Sequence, residues 1–272
     1  MSGWRTATAP AKLNLALVVG PVRPDGKHDV VTVMERLSLC DTVSVRRSAE
    51  IRVSGFAGDT LVTDALRGLA RIVEGEPRFE ARIEKRIPVA AGLGGGSSDA
   101  AAALVLANGL LDIPLEPAAL DGIAGSLGAD VPFFLRDRTQ LATGDGTTLE
   151  PIELPREYVA LLALSDGAVK SSTAAVYDDF DARRGDEGYD GRRAALLSAL
   201  AAVREPGDLA SLPPNDLASA PLADELAARG AFRADVTGAG PVVYGLFAQR
   251  REAEDAADAL AGRARTWIAT PA

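Results

Sequence analysis

The chain has 272 residues, enough for one large core or two of ordinary size. Its 38 Asp and Glu against 29 Lys and Arg leave a formal charge of -9, and with no basic tract to offset it this opposes general nucleic-acid binding and points to small-molecule partners. A single cysteine and a single histidine exclude an internal disulfide framework and oppose a zinc centre, so any metal is expected to be oxygen-bound magnesium held largely by phosphates. No apolar run approaches transmembrane length and residues 1–5 carry no signal-like segment, so a cytoplasmic location without membrane contact is expected.

Residues 6–18 alternate so that Leu13, Leu15 and Leu17 share one strand face and Lys12 and Asn14 the other. Judged alone, Lys12 reads as an exposed strand lysine. Arg23-Pro24-Asp25-Gly26-Lys27-His28 is turn-like, and His28 reads as a surface imidazole able to stack on a base or bond its edge. Residues 30–39 and 42–46 suggest two further strands, with Cys40 between them as a buried structural thiol. Residues 64–73 fit a helix that turns Leu66, Leu69, Ala70 and Val73 inward. Residues 79–87 alternate as a half-buried strand.

That strand runs into Pro88-Val89-Ala90-Ala91-Gly92-Leu93-Gly94-Gly95-Gly96-Ser97-Ser98-Asp99, and a helix is expected over 100–110. Side chains are nearly absent at this corner, so backbone N–H groups can converge on one point, and a helix N-terminus adds donors and a positive dipole end. A phosphate fits such a corner. One of Ser97 and Ser98 is expected to cap the helix while the other meets a phosphate oxygen or a magnesium ion, and Asp99 suits the first turn. Lys85 and Arg86 offer local positive charge. The pattern is neither a P-loop nor a dinucleotide fingerprint, so nucleotide chemistry here needs another architecture.

A helix over 118–127 leads into Gly128-Ala129-Asp130-Val131-Pro132, where small residues permit close approach and Pro132 is expected to hold Val131 extended. In phosphoryl transfer an aspartate can take or orient a hydroxyl proton, and a lysine can keep that carboxylate ionised and stabilise charge on the transferring group. Composition near 145–155 marks a seam. Beyond it come a buried strand at 158–164, a helix from about Ser172, a polar solvent-facing run over 181–193, and helices at 194–202 and 222–229. Tyr177 and Phe180 are candidate aromatic contacts or core. Thr237-Gly238-Ala239-Gly240-Pro241 then turns into a strand at 242–247, with a helix over 252–265. This mixture favours an α+β protein with two sheet-containing halves.

Six ordered motifs resemble those of the GHMP-type small-molecule kinases: Pro10-Ala-Lys12-Leu-Asn14-Leu, Arg23 to His28, Pro88 to Asp99, Leu127 to Phe133, Asn215-Asp216-Leu217 and Thr237 to Pro241. Within that family they resemble the branch whose alcohol acceptor is carried on cytidine diphosphate, in a mevalonate-independent route to isoprenoid precursors. The resemblance implies a two-domain GHMP-kinase-like fold. Its N-terminal half, 1–153, would be ribosomal-protein-S5-domain-2-like, and its C-terminal half, 154–272, ferredoxin-like, with an active-site cleft between them. It implies ATP and Mg2+ as cofactors, Asp130 as base and Lys12 as its electrostatic partner. Asn14, His28, Asp130 and Tyr177 would meet the cytidylyl alcohol. Pro88, Ala90, Gly92, Leu93, Gly94, Gly95, Gly96, Ser97 and Ser98 would enclose the ATP phosphates, with Ser98 as a magnesium contact. Three positions depart from the family pattern: Lys27 replaces a tyrosine, Thr60 an asparagine, and the late motif is less serine-rich. Two alternatives stand beside this reading, a kinase of another small alcohol and a ligand sensor that transfers no phosphate.

Overall fold

Leucine and β-branched alternation near the N-terminus produces two long strands, β1 (Arg5–Val22) and β2 (His28–Arg47), which pair with each other. The computed structural model describes residues 3–168 and 172–272. The two strands expected at 30–39 and 42–46 are thus one. Glu35 and Asp41 interrupt the apolar pattern in the sequence, yet both are buried with partners: Glu35 accepts from the Thr139 hydroxyl at 2.6 Å, and Asp41 from the Ile87 N–H at 2.8 Å. Cys40, between them, is half-buried rather than enclosed.

The chain continues as β3 (Arg52–Ser54), α1 (Leu61–Ile72), β4 (Phe79–Glu84), α2 (Gly95–Asn108), α3 (Pro117–Leu127), β5 (Gln140–Gly144), β6 (Thr148–Pro151) and β7 (Val159–Ser165). It ends as α4 (Thr173–Ala182), α5 (Tyr189–Ala202), α6 (Pro221–Ala228), β8 (Arg233–Val236), β9 (Val243–Phe247), α7 (Arg250–Ala259) and β10 (Ala264–Ala269).

Two compact units are interleaved in sequence. One takes the chain up to Ala11, Cys40–Val89 and Gly94–Asp137. In it β4 runs antiparallel to residues 42–47 of β2, and β3 lies parallel to β4. Val62, Leu66 and Leu69 line the buried face of α1, which packs on α2 and α3. Gly68 permits the approach of α3, since a Cβ there would stand 2.9 Å from Ile123. Asp59 closes the start of α1, accepting from the Val62 and Thr63 N–H groups at 3.0 and 3.1 Å.

The other unit takes Lys12–Leu39, Ala90–Leu93 and Arg138–Ala272. Here β5 pairs with residues 30–34 of β2 and forms a hairpin with β6. A separate antiparallel sheet has the order β10-β7-β9-β8 and is covered by α6 and α7. Counted along the chain, that order is 4-1-3-2, the split β-α-β arrangement of a ferredoxin-like half. Leu161, Leu226, Phe247 and Leu260 belong to its core.

Two expectations are amended in this unit for local reasons. The helix expected over 252–265 stops at Ala259, because Gly262 turns at φ 74° and residues 264–269 complete the ladder beside β7. The polar run 181–193 is exposed over most of its length, as expected, but it is not all loop, since α4 ends at Ala182 and α5 begins at Tyr189. The Tyr189 ring lies against Gly20 and its hydroxyl donates to Asp29 at 3.0 Å. Arg192 donates to Asp216 at 3.0 Å and to the Val19 carbonyl at 3.1 Å. No helix among the described residues is long and apolar enough to cross a membrane.

Candidate active site

Lys12 and Asn14 share a face of β1 because they are two residues apart, but that face is not exposed. They keep 4% and 6% of their surface, so the surface-lysine reading is overturned. Lys12 donates to Asn14 Oδ1, while Asn14 Nδ2 donates to Thr32 Oγ1 at 2.8 Å and Thr32 donates to the Ala16 carbonyl at 2.7 Å. This relay settles which way the Asn14 amide points: its oxygen toward the ammonium, its nitrogen toward the hydroxyl. The Asn14 N–H donates to Thr237 Oγ1 at 3.1 Å, and the Lys12 N–H to the Leu93 carbonyl at 2.9 Å.

The loop from Thr237 to Gly240 therefore covers the pair. A Cβ at Gly238 would stand 3.3 Å from both Lys12 Nζ and Asn14 Oδ1. The loop is itself clamped by Asn215, whose amide donates to the Val236 and Gly238 carbonyls at 2.9 and 2.7 Å. The sequence marked Asn215 as part of a motif but gave it no role at the site. Its importance comes from contacts made more than twenty positions along the chain.

The glycine-rich corner depends on backbone conformations that few side chains tolerate. Ala90, Gly92 and Gly94 have φ of 57°, 82° and 68°. Gly92 is pressed against the late loop, for a Cβ there would lie 2.5 Å from the Thr237 carbonyl. α2 starts at Gly95, five residues before the expected start, with Gly94 as its N-cap and no side-chain cap. Neither Ser97 nor Ser98 caps it, because both already lie inside the helix. Pro88 is half-buried, Leu93 buried, and Gly96 exposed. Ser98 is 1% exposed, and its Oγ has no hydrogen-bond partner among the described residues.

Asp99 also lies beyond the first turn, and its partner is a side chain rather than the helix dipole. Lys85 donates to Asp99 Oδ2 at 2.7 Å and also to Asp41, whose other oxygen accepts the Arg86 N–H at 2.5 Å. One ammonium thus serves two buried carboxylates. Burial pushes the Asp99 carboxyl up to about 7 against the pull of Lys85, and the charge of Asp41 pushes the same way. Burial works against the Lys85 ammonium, yet its two carboxylate bonds raise it above the ordinary value. Lys85 is spent internally rather than offered to a ligand.

Asp130 is half-buried in the turn after α3. Val131 is helical there, at φ -65° and ψ -43°, not extended as the following proline suggested. A short 3-10 turn over Pro132–Leu135 overrides that preference: the Val131 N–H donates to Gly128 at 3.2 Å, and Phe133 and Phe134 are buried.

His28 is packed rather than superficial, its side chain 9% exposed. The Tyr177 ring lies 4.7 Å away, and Nε2 is 2.8 Å from Asp181. Lys27, in the family's tyrosine position, reaches Asp145 at 2.6 Å. Val30, Leu17, Val19, Phe180 and Leu217 form the apolar floor beneath this group.

Residues 60–138 match the family described as GHMP kinases N terminal domain, and residues 194–265 match GHMP kinases C terminal. The 4-diphosphocytidyl-2-C-methyl-D-erythritol kinase of Nocardia farcinica is 40% identical over 93% of this chain and 87% of its own length. The chain belongs to the GHMP kinase family. It is an ATP-dependent small-molecule kinase of the two-domain α+β fold. The kinase of the same name from Gloeobacter violaceus is 38% identical over 93% of this chain and 89% of its own. A solved 4-(cytidine 5'-diphospho)-2C-methyl-D-erythritol kinase superposes with a TM-score of 0.78 at 31% identity, covering 98% of each chain. The mevalonate kinase of Methanococcus jannaschii, at 12% identity and a TM-score of 0.74 over 100% and 99% of the two chains, shares the fold.

For this kinase the orphaned Ser98 hydroxyl is the most informative atom of the glycine-rich corner. A buried polar atom without a partner carries a desolvation cost of about 1–3 kcal/mol. A hard oxygen donor one turn into a helix fits a magnesium ion or a phosphate oxygen.

Proposed function

We propose that this kinase transfers the terminal phosphoryl group of ATP to the 2-hydroxyl of 4-diphosphocytidyl-2-C-methyl-D-erythritol, the substrate named in its relatives. The observation that carries the reading is the buried Lys12–Asn14 pair under the Thr237–Gly240 loop. Removing an ammonium from water is costly, and such a charge is of use where negative charge develops in a transition state.

Each group then has a distinct task. Asp130 accepts the proton of the attacking hydroxyl, and Lys12 supplies fixed positive charge for the transferring group. Asn14 orients the acceptor through the amide that Thr32 and Lys12 hold in place. The N–H groups of the first turn of α2, left without a side-chain cap, receive phosphate oxygens, with Pro88, Ala90 and Gly92 to Ser98 shaping the approach. Ser98 would hold magnesium, which when bound offsets charge on the phosphate oxygens. His28 and Tyr177 form the base-recognition end. Transfer is direct, in line, with no phospho-enzyme. Small polar substrates of this kind support a cytoplasmic location.

The test is phosphorylation of the purified protein's candidate acceptors with magnesium-ATP, read by 31P NMR of the product and by ADP release. The cytidylyl alcohol is expected to gain one phosphomonoester at the 2-position. Efficient turnover of mevalonate or a sugar alcohol with none of the cytidylyl compound would overturn the acceptor assignment. Binding of every candidate without product would make the chain a sensor.

A further inference from the structure

Three residues of one helix converge on the single histidine. From α4, Tyr177 lies against the His28 ring at 4.7 Å with a 32° tilt, Phe180 meets it edge-on at 5.8 Å and 86°, and Asp181 Oδ1 stands 2.8 Å from Nε2. The ring is 9% exposed, so its orientation is set by packing on two sides and by a carboxylate on the third. Nδ1 takes no hydrogen bond from any described residue.

A carboxylate can only accept, so the hydrogen between Nε2 and Asp181 belongs to the imidazole. A neutral imidazole carries one N–H, which leaves a lone pair on Nδ1. We propose that Asp181 is a positioning residue: it holds His28 in the Nε2–H form, so that Nδ1 accepts from a base edge that presents an amine. Cytosine presents an exocyclic amine at that edge, whereas uracil presents a carbonyl oxygen that would face the lone pair unfavourably. Asp181 thereby selects the base of the acceptor without touching it. The inference rests on the reading that the acceptor alcohol is carried on a cytidine diphosphate.

Because the chain has one histidine, a long-range 1H–15N correlation of the uniformly labelled protein reads His28 alone. At neutral pH the proton is expected on Nε2 and Nδ1 is expected bare. In Asp181→Ala the two nitrogens should move toward tautomer averaging. The preference in kcat/KM for the cytidylyl over the uridylyl alcohol should drop at least about tenfold, carried by KM rather than kcat. Asp181→Asn, whose amide oxygen still accepts, should restore the preference to within about threefold. A wild-type proton on Nδ1, a doubly protonated ring, or an unchanged base preference in Asp181→Ala would each overturn the inference even where the cytidylyl alcohol is turned over. No turnover of that alcohol by the wild type would overturn the functional reading, and base selection with it.

Discussion

Replacing Gly92 with alanine tests whether the phosphate corner and the late glycine loop are held at fixed separation. Two costs add. The backbone at φ 82° is one that an L side chain adopts at about 1–2 kcal/mol. The new methyl would also stand 2.5 Å from the Thr237 carbonyl and 3.0 Å from that of Gly240, atoms of backbone that cannot rotate away. Overpacking of this kind costs about 1–3 kcal/mol. Gly26 supplies the control, since its φ is 81° but nothing lies within 4 Å of a Cβ built there. Gly26→Ala therefore bears the first cost without the second. At roughly 2 °C per kcal/mol for a chain of this size, Gly92→Ala should melt about 4–10 °C below the wild type and Gly26→Ala about 2–4 °C below it. Because Thr237 also accepts the Asn14 N–H, the displaced loop should lower kcat in Gly92→Ala. Calorimetric melting of both variants, with initial rates, makes the comparison. Equal melting temperatures would refute the claim that the two loops meet on a rigid contact.

Asp130→Asn should lower turnover by at least about 100-fold while nucleotide affinity, measured calorimetrically, stays within about twofold; unchanged turnover removes Asp130 from the base role. Asn215→Ala strips donors from the Val236 and Gly238 carbonyls and an acceptor from the Leu217 N–H, and should cost about 2–4 kcal/mol in urea titrations. The Asp99 carboxyl is raised in the folded chain, so the native state binds protons more tightly than the unfolded one and stability should fall as pH climbs from about 4 to about 7. Glu35, also raised by burial, adds to that slope, and Asp99→Asn should flatten it without abolishing it, as urea midpoints across this range would show.

What could be read from the sequence was what chemistry forces into short motifs. The run Gly92 to Ser98 has no substitute for its glycines where two positive φ angles and a helix start fall within four positions. Lys12 and Asn14 fall on one face by the two-residue period of a strand. Their burial was not readable, since it depends on Thr237, 223 positions from Asn14. The same holds for His28, whose carboxylate partner Asp181 lies 153 positions away, in a run that the sequence reads as solvent-facing but that begins in the last turn of α4. Asp41 and Glu35 broke an apolar pattern and so hid the continuity of β2, because a period cannot distinguish a charge at a strand end from one buried with a partner. Nor can it reveal that one strand serves two compact units, since that follows from pairing at both of its ends.

The charge distribution follows from these placements. A chain of net charge -9 that handles phosphates cannot depend on general attraction, and the basic side chains near its phosphate and base motifs are largely answered internally. Lys85 bridges Asp41 and Asp99, and Lys27 is bound to Asp145, lowering that carboxyl to about 2. Backbone N–H groups at the start of α2 carry no formal charge and need no counter-ion, and the φ angles of Gly92 and Gly94 determine where they point. The anion site proposed at this helix start keeps its position through conformation rather than through flexible lysines. That is why the residues to change in testing it are the glycines and the buried groups that brace them.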